Sequence, residues 1–275
     1  MKRTLLRWLA TGGALYLLLT LAIFALQDTM IYYPTRAPET ALFELAETKR
    51  VEPWRSRAGE LLGWRRPNST AKRKMLVFHG NAGFALHRVH FIEALQALGG
   101  GSEWEVFVQE YPGYGARGGE TNEPSILAAG RAALDELAAL DARPVFLMGE
   151  SLGSGAACGL AGALPERVAG VALVVPYGSL LEAASHHYPY LPVRLILRDR
   201  FDNYAALARY RGPVAFVIAG EDEVVTAASG LRLHESYGGP KHLRLFPGLG
   251  HNELDYSSGA AWWEEISNYL TQPRP

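Results

Sequence analysis

The sequence predicts an α/β fold, a mostly parallel central sheet with helices on both faces, preceded by one N-terminal transmembrane helix. Three observations carry this expectation. Six short apolar runs, at 75–78, 106–109, 145–148, 168–175, 214–219 and 243–246, end at glycine, proline or a loop motif. Stretches of helical character separate them, at about 84–98, 124–140, 153–164, 226–236 and 260–270. An uncharged run over residues 8–26 stands ahead of them all.

Each element follows from composition and spacing. Runs this short, bounded by Gly and Pro, suit strands covered on both faces. Strands that alternate with helices imply parallel pairing, with ligands held at the carboxyl ends of the strands. Residues 45–66 mix β-formers around Gly59 and read as an irregular opening hairpin. At 275 residues and 48% hydrophobic, the chain can bury one full core. A formal net charge of -1 offers no basic face for nucleic acid. The single cysteine, Cys158, has no partner for an internal disulfide and reads as a packed core thiol.

The N-terminal run reads as a membrane anchor. Lys2, Arg3 and Arg7 precede or flank it, and Thr11 and Thr20 are its polar interruptions. About 20 helical residues cross a hydrocarbon core of ~30 Å. A cleaved signal peptide and a buried core helix are the alternatives. A signal core is shorter and ends in a small-x-small site, and residues 24–28 offer none. A core helix would show a polar face. Basic residues ahead of the span put the N-terminus in the cytoplasm and the main domain on the other side. Residues 5–26 are then the bilayer contact. The expected division is 1–28 as stub and anchor, 29–44 as connector and 45–275 as the α/β domain. The aromatics of 32–33 suit the membrane interface.

The chemistry is expected at the strand ends. Gly149-Glu150-Ser151-Leu152-Gly153 is a G-x-S-x-G between a strand and a helix, the context that makes its serine a candidate nucleophile. A serine hydroxyl is weak at neutral pH and needs a base. His251, in a Gly-rich loop after the last strand, is the best placed of eight histidines. The imidazole needs a carboxylate to fix its tautomer. Asp222 is preferred over Glu221 and Glu223 by its position before Glu223-Val224-Val225. An oxyanion needs preorganised N–H donors. The backbone amide of Leu152 is one candidate, and that of Asn81 in His79-Gly80-Asn81-Ala82-Gly83 is the other, with Ala82 as second choice.

These motifs, with Tyr111-Pro112-Gly113-Tyr114-Gly115 and Gly250-His251-Asn252, resemble the α/β-hydrolase superfamily over nearly the whole chain. Within it, the chain is similar to the membrane-anchored group related to the bud-emergence protein of yeasts and the α/β-hydrolase-domain depalmitoylases of animals. Those also carry one N-terminal anchor followed by a segment like Tyr33-Pro34-Thr35. Two departures are visible: Pro112 stands where many relatives have Arg, and Thr226 where many have Pro. The resemblance implies an α/β-hydrolase fold and a serine hydrolase with a Ser151–Asp222–His251 triad. A cap is expected at about 176–204. Its Tyr177, Tyr188 and Tyr190 either line an acyl pocket or pack the excursion onto the sheet.

The expected reaction is hydrolysis of a small-molecule acyl ester or thioester, of lipid or acylated-protein type, with no cofactor and no metal. A serine aminopeptidase-type activity shares the same triad and stays open. So does a catalytically idle scaffold that acts through interactions.

Overall fold

The computed structural model describes residues 1–273. Eight strands form one sheet: β1 (Glu52–Arg55), β2 (Leu61–Arg66), β3 (Arg73–Phe78), β4 (Trp104–Gln109), β5 (Val145–Glu150), β6 (Val171–Val174), β7 (Val214–Ala219) and β8 (Lys241–Phe246). Their order is β8-β7-β6-β5-β3-β4-β2-β1. The first hairpin and the β2–β4 contact are antiparallel, and every other pairing is parallel.

The alternation of side chains along a strand divides the core in two. On β3, Leu76 and Phe78 join one cluster, together with the helices α4 (Glu123–Leu140) and α5 (Leu152–Ala163). Met75 and Val77 face the other cluster, with α3 (Val89–Ala97) and α10 (Trp262–Thr271). Cys158 is buried in the first, and burial pushes its thiol pKa up. Both faces of the sheet are thus covered, so central strands read as unbroken apolar runs. The crossovers deliver their loops to the carboxyl edge, where 79–83, 149–153, 220–226 and 247–252 converge.

The N-terminal helix α1 (Lys2–Ile31) has 30 residues and is long and apolar enough to cross a membrane. It continues five residues beyond 26, because nothing between Gln27 and Ile31 breaks a helix. Its last four turns lie against the segment 188–198. There the Tyr16 hydroxyl donates to the Tyr190 carbonyl at 2.8 Å, and Gln27 is buried.

Three local expectations change. Residues 39–48 form a helix, α2 (Glu39–Thr48), so a domain boundary at 45 falls inside an element. Pro38 stands at its N-cap and Glu39 in its first turn, and Leu42 and Ala46 are buried one turn apart. Tyr32 is buried rather than interfacial, its hydroxyl donating to Asp199 at 2.5 Å. Tyr33 is exposed, and its backbone pairs in parallel with Ala82 of the Asn81 loop. The cap region folds as α6 (Leu180–His187), α7 (Val193–Ile196) and α8 (Asn203–Leu207).

Candidate active site

The turn between β5 and α5 is forced by packing. Ser151 sits at φ 50, ψ -117, a conformation that strains any residue with a Cβ. The two glycines make room for it. A Cβ on Gly149 would lie 2.6 Å from the Ser154 Cα, and one on Gly153 would lie 2.6 Å from the Phe78 carbonyl carbon. The strand–turn–helix crossing is therefore tight enough to require glycine at both 149 and 153. It sets the Ser151 hydroxyl at the N-terminal, positive end of α5.

His251 approaches from the loop after β8, and its Nε2 lies 3.1 Å from Ser151 Oγ. Its Nδ1 lies 2.6 Å from Asp222 Oδ2. A carboxylate cannot donate, so Nδ1 carries the proton and Nε2 is left to accept one. Asp222 is buried, and its Oδ1 accepts from the Val224 and Val225 amides at 2.9 and 3.0 Å. Glu221 and Glu223 are exposed, so the structure brings only Asp222 of the three onto the histidine. Thr226 has φ 60 and its side chain caps α9 (Ala227–Ser236) by accepting from Ser229 N at 3.3 Å. Proline, fixed near φ -65, cannot take that backbone.

The loop 79–83 is held from behind by its carbonyls. Tyr111 Oη donates to His79 O and Tyr114 Oη to Asn81 O, both at 2.7 Å. His79 Nδ1–H donates to Gly80 O at 2.7 Å. The peptide bonds of the described residues are trans, so fixing the Gly80 carbonyl aims the Asn81 N–H the opposite way. The Ser151 carbonyl is fixed likewise by Ser154 N at 2.9 Å and Ser154 Oγ at 2.7 Å, which turns out the Leu152 N–H. Asn81 and Leu152 both line the cavity that holds Ser151. His79 is wholly buried and stacked on Tyr111, and burial lowers its pKa to about 3, which keeps the ring neutral.

Glu150, inside the pentapeptide, has a role that the motif does not announce. Its Oε2 accepts from the Gly80 amide at 3.1 Å and from Arg88 Nε at 2.5 Å. It ties the serine turn to the Asn81 loop across 70 residues, and no local sequence signal marks that pairing.

The cavity has a volume of about 440 Å³. Ser151, His251, Tyr177, Tyr188, Leu191 and Val225 are among its lining residues. Tyr177 is buried, its hydroxyl donating to Leu152 O at 3.4 Å. Tyr190 departs from expectation. It is 63% exposed and outside the lining, because its backbone turns the ring outward where its carbonyl receives Tyr16.

Behind the loop, Glu110 is fully buried, 3.8 Å from His79 Nε2, and burial pushes its pKa up to about 7 against bonds from Ala85 N and Trp64 Nε1. The unfolded carboxyl releases its proton near 4.5, so this group's contribution is fully present below that pH and is lost as pH rises through about 7. His79 works oppositely: its contribution is present above 6.5 and is lost as pH falls toward about 3. Glu110→Gln should therefore gain stability relative to the wild-type chain between pH 5 and 8. Urea midpoints across that range check it, and two parallel profiles would refute it.

Known proteins share the fold. A profile of the alpha/beta hydrolase fold matches residues 74–208. The chain is 31% identical over 256 residues to an uncharacterized protein of Mycobacterium tuberculosis, covering 91% of this chain and 89% of that one. It is 28% identical over 210 residues to human alpha/beta hydrolase domain-containing protein 17B, covering 75% and 69%. A Pyrococcus furiosus esterase shares the fold with a TM-score of 0.61 at 15% identity, covering 86% of this chain and 98% of that one. The sequence profile and the solved neighbours share this fold, and the chain belongs to the α/β-hydrolase superfamily.

Proposed function

We propose that the protein is a membrane-anchored serine hydrolase that cleaves a carboxylic ester or thioester through an acyl-enzyme. The observation that carries this reading is His251, which bridges Ser151 Oγ at 3.1 Å and Asp222 Oδ2 at 2.6 Å. That is the arrangement in which a hydroxyl becomes a nucleophile at neutral pH.

Ser151 Oγ attacks the acyl carbonyl as Nε2 of His251 takes its proton. Asp222 holds the tautomer and stabilises the imidazolium. The Asn81 and Leu152 amides receive the oxyanion, already aimed by the bonds on the neighbouring carbonyls. His251 then returns the proton to the alcohol or thiol that leaves. Water, activated by the same ring, releases the acid. Residues 5–26 of α1 anchor the chain in the bilayer, with the N-terminus cytoplasmic and the catalytic domain on the far side. The substrate is an acyl ester or thioester of lipid or acylated-protein type, which suits the leucines and isoleucines of the cavity wall. The P. furiosus protein of the same fold carries the name esterase.

Ser151→Ala should abolish labelling by a fluorophosphonate probe while the melting profile holds. Labelling that persists in this variant would refute the assignment of Ser151.

A further inference from the structure

Tyr16, Thr20, Ile23, Gln27 and Met30 recur at spacings of four and three, so they share one stripe of α1. Thr20 and Gln27 are buried on it, while Leu17, Leu18 and Leu21 around the helix are exposed. Along this stripe α1 is bonded to the cap. Gln27 Nε2 donates to Ile196 O at 3.0 Å, and Arg198 N donates to Gln27 Oε1 at 2.8 Å. Both ends of a buried amide are thus matched, which removes the penalty of an unpaired polar group. The end of the helix is fastened to the Asn81 loop. Asn81 Nδ2 donates to Ile31 O, and Tyr33 N donates to Asn81 O, each at 3.1 Å. Ile23, Gln27, Met30 and Ile31 line the same cavity as Ser151.

The geometry points to α1 as one wall of the acyl-binding groove, so that the acyl chain of a membrane-resident ester or thioester enters from the bilayer between α1 and the cap. This rests on the hydrolase and anchor readings above and adds a route and a specificity-determining wall. The helix is 30 residues, ~45 Å long, or ~15 Å more than a hydrocarbon core. Tyr16 falls within the bilayer-contacting residues 5–26, so its bonded partner Tyr190 lies below the membrane surface with it. Tyr190 and Leu195, 63% and 85% exposed, are the apolar cap residues that this depth would cover. An acyl chain is the occupant that fits, because three of the four α1 residues in the lining, Ile23, Met30 and Ile31, are apolar and the same cavity holds Ser151. A water-soluble acyl donor would need no apolar wall on the membrane side.

The test uses the full chain in lipid nanodiscs with p-nitrophenyl acetate and palmitate, read as the ratio of the two kcat/KM values. Ile23→Trp narrows the groove and lowers the palmitate-to-acetate ratio by about tenfold or more, and Met30→Trp does the same. Leu18→Trp, on the lipid side, leaves the ratio unchanged. Fluorophosphonate labelling of Ser151 reports folded enzyme in each variant. A ratio unmoved in labelled Ile23→Trp or Met30→Trp overturns the wall, and so does an equal shift in Leu18→Trp. Should neither tryptophan variant label, Ile23→Ala decides: the ratio moves if α1 lines the groove and holds if it does not. A wild-type chain that neither labels nor turns over either ester overturns the hydrolase reading instead.

Discussion

Asp222→Asn should lower kcat by about 10⁴-fold while the protein stays folded. The two carboxylate oxygens do different jobs. Oδ1 accepts from the Val224 and Val225 amides at 2.9 and 3.0 Å, and Oδ2 accepts from His251 Nδ1 at 2.6 Å. An asparagine keeps its amide oxygen on the two backbone donors, since its NH₂ cannot accept from them. The NH₂ then faces His251 and donates to Nδ1. The imidazole proton moves to Nε2, which donates to Ser151 Oγ and can no longer take its proton. The fold survives because the loop bonds survive, and the chemistry fails because the base is in the wrong tautomer. Stopped-time hydrolysis of p-nitrophenyl butyrate beside a thermal melt checks both halves. A fall of less than about tenfold with an unchanged melt would remove Asp222 from the proposed triad. A collapsed melt would mean that its work is on the 220–226 loop.

Much of the candidate site is legible in the sequence because its cues are local. The serine turn, the acid and the histidine each follow a strand within a few residues, and each strand is an apolar run closed by Gly or Pro. What was illegible depends on distant partners. Glu150 reads as the variable position of a motif until Arg88 and the Gly80 amide meet it. His79 reads as a loop residue until its ring is seen holding the Gly80 carbonyl. Gln27 looks like the polar end of an apolar span, and its burial comes only from the cap 169 residues away. The helix at 39–48 was missed for a different reason. It is ten residues long and carries a narrow apolar stripe, so propensity alone left it a connector. Tyr190 shows the converse error: aromatic composition marked the cap, but only the backbone path decides which rings turn inward.

Gly153→Ala should destabilise the chain by about 3 kcal/mol or more and abolish turnover. The added Cβ would lie 2.6 Å from the Phe78 carbonyl carbon and 2.8 Å from the His79 oxygen. Both obstacles are backbone at the end of β3, in the middle of the sheet, so no side chain can swing aside. Relief needs α5 to lift from β3. That movement would carry Ser151 away from His251 and pull the 79–83 loop off the bonds that aim its amides. Stability and activity are therefore coupled at this one glycine. Gly118 supplies the contrast, because a Cβ there meets nothing within 4 Å. Gly118→Ala should stay within about 0.5 kcal/mol of the wild-type chain. Urea unfolding of the two variants, with fluorophosphonate labelling of each, separates a steric elbow from a merely glycine-rich turn. A Gly153→Ala protein as stable and as readily labelled as Gly118→Ala would show that the turn has slack, and the close packing of α5 on β3 would not be what holds Ser151 in its strained backbone.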